Sequence, residues 1–124
     1  MEPTGNFNDV FRERSKSNAL KAIKLFQQLK HREELRILGR QLLRSAASVA
    51  ANFRAACRAR SAAEHYAKLC IVVEECDETL FWLEMIEATE LMKTEQLKTC
   101  QDETRKLLFV FAKTRKNLKP KLKS

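Results

Sequence analysis

Apolar residues recur every three or four positions almost from end to end of the chain, and that period predicts helix throughout. Four helices are expected. The first runs from about Phe11 to Lys30, with Ala19, Leu20, Ile23, Phe26 and Leu29 facing inward, and His31–Glu33 is the turn. The second runs from about Glu34 to Ala59. The third starts at a capping box, Ser61 as N-cap with Glu64 three residues on, and extends to about Glu90. Its inward set is Tyr66, Leu69, Val72, Val73, Cys76, Leu80 and Leu83. After a turn near Met92-Lys93, Thr94 caps a fourth helix that presents Leu97, Cys100, Leu107, Leu108, Phe111 and Leu118 and stops before Pro120. Short links between helices of this length predict an all-α, antiparallel up-down-up-down four-helix bundle. It occupies residues 11–118, between a flexible N-terminus (1–10) and a basic C-terminal tail (119–124).

The second helix carries the clearest functional pattern. At about 100° per residue, Arg36, Arg40, Arg44, Arg54 and Arg58 fall within an arc of about 80°. Leu35, Leu38, Leu42, Val49, Phe53 and Ala56 gather on the opposite side, so one face is for burial and the other for fixed positive charge. Ala47, Ala50 and Ala51 lie on or beside the arginine arc and would allow close approach by a phosphate backbone or another helix. Guanidinium forks suit bidentate phosphate contact. The same arginines could instead pair with Glu74, Asp77 and Glu78 of helix three, in one subunit or between two. Arg36 and Arg40, at the more open end, are the better phosphate candidates on sequence alone.

Composition sharpens this picture. Two glycines and two prolines in 124 residues are too few for a sheet protein. The net charge of +8 is unevenly spread: residues 1–60 carry 13 Lys/Arg and 5 Asp/Glu, residues 61–92 carry 1 and 8, and residues 93–124 carry 10 and 3. Two basic segments flanking an acidic one point to a polyanionic partner, chiefly nucleic acid. The run from Lys113 holds Lys113, Arg115 and Lys116 and no acid beyond them. Helix three also carries Ile71, Phe81, Trp82 and Met85 beyond its core stripe, more apolar surface than a lone bundle uses, so these are expected at an oligomer interface.

Catalytic chemistry is not in evidence. Cys57, Cys70, Cys76 and Cys100 form no CxxC pair and are not spaced with His31 or His65 as a zinc set, so they read as small buried hydrophobes of a reducing compartment. No Glu-x-x-His pair builds a di-metal site, and no glycine-rich loop cradles phosphate. No apolar run is long enough to span a membrane, and the first residues lack a signal peptide's pattern, so a cytoplasmic, non-enzymatic protein is expected.

Two runs carry a family resemblance. The stretch from Gln41 to Ala56 (QLLRSAASVAANFRAA), with Arg60, Ser61 and Glu64, and the stretch from Lys68 to Ile86 (KLCIVVEECDETLFWLEMI) resemble the small four-helix-bundle proteins encoded in intervening sequences of bacterial large-subunit ribosomal RNA genes. The accessory variability determinant of diversity-generating retroelements is a relative of that family. The resemblance spans about residues 11–112. It implies a pentameric ring of bundles with no catalytic residues and no cofactor. In the retroelement branch it implies a basic surface that binds nucleic acid and a reverse transcriptase. The expected function is therefore non-enzymatic nucleic-acid binding, RNA favoured and DNA possible, by a homo-oligomer. The alternative is a protein-binding adaptor or scaffold, such as an accessory subunit of a retroelement reverse transcriptase.

Overall fold

The structure is a computed structural model that describes the backbone of residues 3–123 and the side chains of residues 6–118. Its elements are α1 (Pro3–Leu29), α2 (Glu33–Cys57), α3 (Ala62–Ala88) and α4 (Glu95–Lys123), with no strand among the described residues. Each helix packs on its neighbours in the chain, and α1 meets α4 to close the ring. The α2–α3 contact is the most extensive and the α1–α4 seam the slimmest. This is the antiparallel four-helix bundle that the periodicity predicts.

The local stops follow known capping chemistry. Ser61 Oγ accepts from the Glu64 N–H at 3.1 Å, and Thr94 Oγ1 accepts from the Leu97 N–H at 3.2 Å, each satisfying a backbone donor that the helix leaves free. Between α3 and α4, Glu90 turns the chain at φ 60°, inside the left-handed region.

Three expectations are corrected. The first concerns the N-terminus. Met1 and Glu2 lie outside the described residues, but from Pro3 onward the segment expected to be flexible is already α1. Proline is well placed in a first helical turn. Phe7 and Phe11 then hold the following turns down: their rings are 4.7 Å apart, Phe7 meets Phe53 at 6.4 Å, and Phe11 meets Phe111 at 6.0 Å. The second concerns the inward face of α1. Leu29 is buried and Ala19 packs on the core as expected, but Leu20 and Ile23 are exposed, and the helix buries Ser15, Asn18, Ala22 and Leu25 in their place. That register brings the two N-terminal phenylalanines toward the core. It is tolerated because Ser15 Oγ donates to the Phe11 carbonyl at 2.8 Å and Asn18 Nδ2 donates to Thr104 Oγ1 at 2.9 Å. The third concerns α4, whose backbone stays helical through Pro120 to Lys123. So near the helix end, the missing proline N–H removes a single backbone bond.

The core has two apolar clusters separated by a polar layer. One gathers Leu25, Leu29, Leu35, Leu42, Leu83, Ile86 and Leu97. The other gathers Val49, Phe53, Leu69, Val72, Cys76, Leu107 and Phe111. Between them, Thr79 Oγ1 donates to Ser45 Oγ at 2.9 Å, and Asn18 bonds Thr104 as above. Cys76 and Cys100 thiols point at the Thr104 carbonyl and Asn18 Oδ1, each at 3.6 Å. Among the described residues no buried side-chain polar atom lacks a partner. A satisfied layer of this kind ties α2 to α3 and α1 to α4 at one height, because sliding either pair by a turn would orphan buried groups.

Gly39 marks the close crossing of α1 and α2. A Cβ there would lie 2.7 Å from Phe26 Cδ1 and 3.2 Å from Leu29 Cδ1. Alanine would gain about 1 kcal/mol in helix propensity but cost about 1–3 kcal/mol in overpacking. Gly39→Ala is therefore expected to lower the thermal midpoint, and calorimetry showing a rise would mean that the Phe26 ring moves aside freely.

Candidate nucleic-acid interface

The polar layer also divides the molecule electrostatically. One half contains residues 6–17, 47–75 and 106–118, and there 11 Lys/Arg face 5 Asp/Glu. The other half, residues 18–46 and 76–105, holds 10 of each. Lys119, Lys121 and Lys123 continue α4 from the basic half. The antiparallel topology produces this concentration. It sets the start of α1 beside the ends of α2 and α4, so basic segments far apart in sequence converge at one end.

Mostly within that half, and reaching just past the polar layer, a groove of about 600 Å³ runs between α1 and α2. Ala47, Ala50 and Ala51 of α2, with Ala19 and Leu20 of α1, line its apolar surface. Arg54 of α2, Arg58 at its C-cap, and Arg12 and Lys16 from α1 line it with positive charge, and Glu13 adds one carboxylate. Arg12 is paired with Asp9. Among the described residues neither Arg54 nor Arg58 has a carboxylate within ion-pair distance, and both are exposed. Small side chains flanked by free guanidinium groups let an extended anion approach the helix backbones closely.

The arginine stripe of α2 does not act as one surface. From Arg36 to Arg58 it spans about 33 Å of helix, so its two ends face different neighbourhoods. Arg36 pairs with Glu33 one turn earlier in the charge-balanced half. Arg40 is exposed in that same half. Arg44 reaches across to α3, where it meets Glu75 at 3.3 Å and also Glu78, and Ser48 Oγ donates to the same Glu75 carboxylate at 3.2 Å. Of the stripe, only Arg54 and Arg58 join the basic half, together with Lys113, Arg115 and Lys116 of α4. Lys113 and Lys116 are exposed and Arg115 is half-buried. Sequence reasoning missed Arg12 and Lys16. Their four-residue spacing ahead of Ala19 and Leu20 was a legible signal, but only folding shows that they face Arg54 and Arg58.

The remaining candidate side chains divide between surface and frame. Ile71, Phe81 and Met85 are exposed on α3. Trp82, expected beside them at an interface, packs against the core, and its Nε1–H donates to Glu78 Oε2 at 3.1 Å. Across the slim α1–α4 seam, Arg14 donates to both Glu103 oxygens at 2.9 and 2.8 Å. This bidentate bond holds the Glu103 carboxyl below the usual range and raises the guanidinium further. His65 Nδ1 lies 2.7 Å from the Ala56 carbonyl, so the ring donates there and caps the end of α2. All four cysteines are free. Burial pushes the Cys76 thiol up to about 12 and the Cys100 thiol up to about 11, which leaves both protonated and unreactive near neutral pH. Among the described residues no cluster of three or more His, Cys, Asp or Glu is arranged to hold a metal, and no helix is long and apolar enough to cross a membrane.

Known proteins bear on this geometry. A crystal structure of a protein of unknown function, from the S23 ribosomal protein family of Bacteroides thetaiotaomicron, superposes with a TM-score of 0.80 at 28% identity. The alignment covers 88% of this chain and 97% of that one. No curated protein matches the sequence. The profile of the 23S rRNA-intervening sequence protein family matches residues 9–112, which takes in most of all four helices. Bundle, sequence profile and solved relative agree, and the chain belongs to the 23S rRNA-intervening sequence protein family.

Proposed function

We propose that this protein is a non-enzymatic RNA-binding protein that acts as a homo-oligomer and contacts phosphates through the basic half of its bundle. The observation that carries the reading is the partition of charge about the polar layer, 11 basic and 5 acidic side chains on one side against 10 and 10 on the other. The family's connection to ribosomal RNA genes makes RNA the polyanion of choice. Arg54, Arg58 and Lys16 in the α1–α2 groove, with Lys113 and Lys116 on α4, supply the contacts. Recognition is then by charge and shape, since side chains on a helix face do not reach the bases of a deep RNA major groove.

Ile71, Phe81 and Met85 on α3 supply the contact between copies. A ring of five, as the resemblance drawn from the sequence implies, would repeat each basic surface and raise affinity by avidity. The test is the salt dependence of binding by the purified protein. A protein that neutralises about four to six phosphates should show log affinity falling with log salt at a slope of roughly −3 to −5 on RNA. Fluorescence anisotropy with a labelled RNA hairpin between 50 and 300 mM salt measures it. A flat response, or no binding, would favour the adaptor reading, in which the basic half docks an acidic protein such as a polymerase.

A further inference from the structure

α4 presents two phenylalanines two residues apart with opposite fates. Phe111 is fully buried, against Phe53 at 4.9 Å. Phe109 is 69% exposed, more than any other large apolar side chain among the described residues, and it makes no aromatic contact among them. Its neighbours at helical spacing are Arg105 (i−4), Lys106 (i−3), Lys113 (i+4) and Lys116 (i+7), all exposed. Arg105 is paired with Asp102 at 3.4 Å. Lys106, Lys113 and Lys116 have no carboxylate partner among the described residues.

A bare ring among cations is a poor seat for a second apolar helix, because docking one would bury three unpaired ammonium groups. It suits a ligand that is anionic along its backbone and flat and apolar on its bases. Duplex bases are already stacked on one another and offer no free face, whereas unpaired bases do. We propose that Phe109 is a stacking platform for an unpaired base of single-stranded RNA, whose phosphates lie along Lys106, Lys113 and Lys116. This rests on the RNA-binding reading above and adds to it the class of RNA segment recognised on α4.

The test uses the full chain with two labelled probes at one salt concentration, a U20 oligonucleotide and a blunt 20-base-pair RNA duplex. Phe109→Ala should weaken U20 binding by roughly 5- to 150-fold, the range set by one base–aromatic stack, and leave duplex binding within about twofold. Phe109→Trp should keep U20 affinity, and its added fluorescence, measured against the Trp82 background, should be quenched by U20. Lys113→Ala should weaken both probes alike. Equal loss on both probes, or no loss on U20, would overturn the stacking role while leaving the RNA-binding reading intact. A change in sedimentation of Phe109→Ala would overturn it in favour of a contact between copies. Failure of the unmodified protein to bind either probe would remove both readings together.

Discussion

Phe111→Ala should lower the unfolding free energy by about 3–5 kcal/mol, whereas Phe109→Ala should change it by less than about 0.5 kcal/mol. The two substitutions delete the same atoms from neighbouring positions of one helix, so propensity and chain entropy nearly cancel in the comparison. The difference lies in surroundings. Phe111 is fully buried and touches Phe53 and Phe11, which in turn hold Phe7 and the first turns of α1. Its removal leaves a cavity where three helices meet, and the surrounding rings close it only in part. In a domain of this size the loss corresponds to a fall in thermal midpoint of about 10–20 °C, measurable by calorimetry. Amide exchange should show the N-terminal turns of α1 opening first, because the slim α1–α4 seam leaves them the fewest other anchors. Similar stabilities for the two variants would mean that the aromatic cluster is not the keystone of that end.

Charge reversal at Arg54 and Arg58 should cost about 100-fold in RNA affinity, taking about 1.5 kcal/mol for each charge-assisted contact. The salt slope should become shallower by roughly 2. The same reversal at Arg36 and Arg40 should cost about tenfold or less. The two pairs share a helix, a residue type and nearly the same angular position. They differ in neighbourhood: Arg54 and Arg58 share a groove with Arg12 and Lys16, while Arg36 is tied to Glu33 in the half where charges balance. Anisotropy titrations of both double variants with one RNA hairpin make the comparison, and sedimentation reports the assembly state. Dissociation of the Arg54→Glu, Arg58→Glu protein into monomers would identify the groove as a subunit contact. A larger loss from the Arg36, Arg40 pair would return the RNA site to the opposite end of the bundle.

Much of this molecule was legible before folding was considered. Helix content, helix number, the capping of α3 by Ser61 and of α4 by Thr94, and the core faces of α2 and α4 all follow from spacing and end chemistry within a turn or two. The family was readable too, because its two motif runs lie within single helices. The inward face of α1 was legible only at Ala19 and Leu29. Leu20 and Ile23 outweigh Ser15 and Asn18 on any scale of residues taken singly, and only a partner such as Thr104, 86 positions away in sequence, makes burial of Asn18 tolerable.

An all-helical bundle with an arginine-bearing second helix can be read from residue order, because helix period and capping are local and each residue's contribution is set by neighbours within four positions. Which charges act together follows from packing. It spends Arg44 on Glu75 and Glu78, brings Arg12 and Lys16 to Arg54 and Arg58, and gathers the surplus charge at the end where α1 begins and α4 finishes. Those are encounters between residues tens of positions apart, and antiparallel packing, not any local preference, sets the distances over which their fields add or cancel.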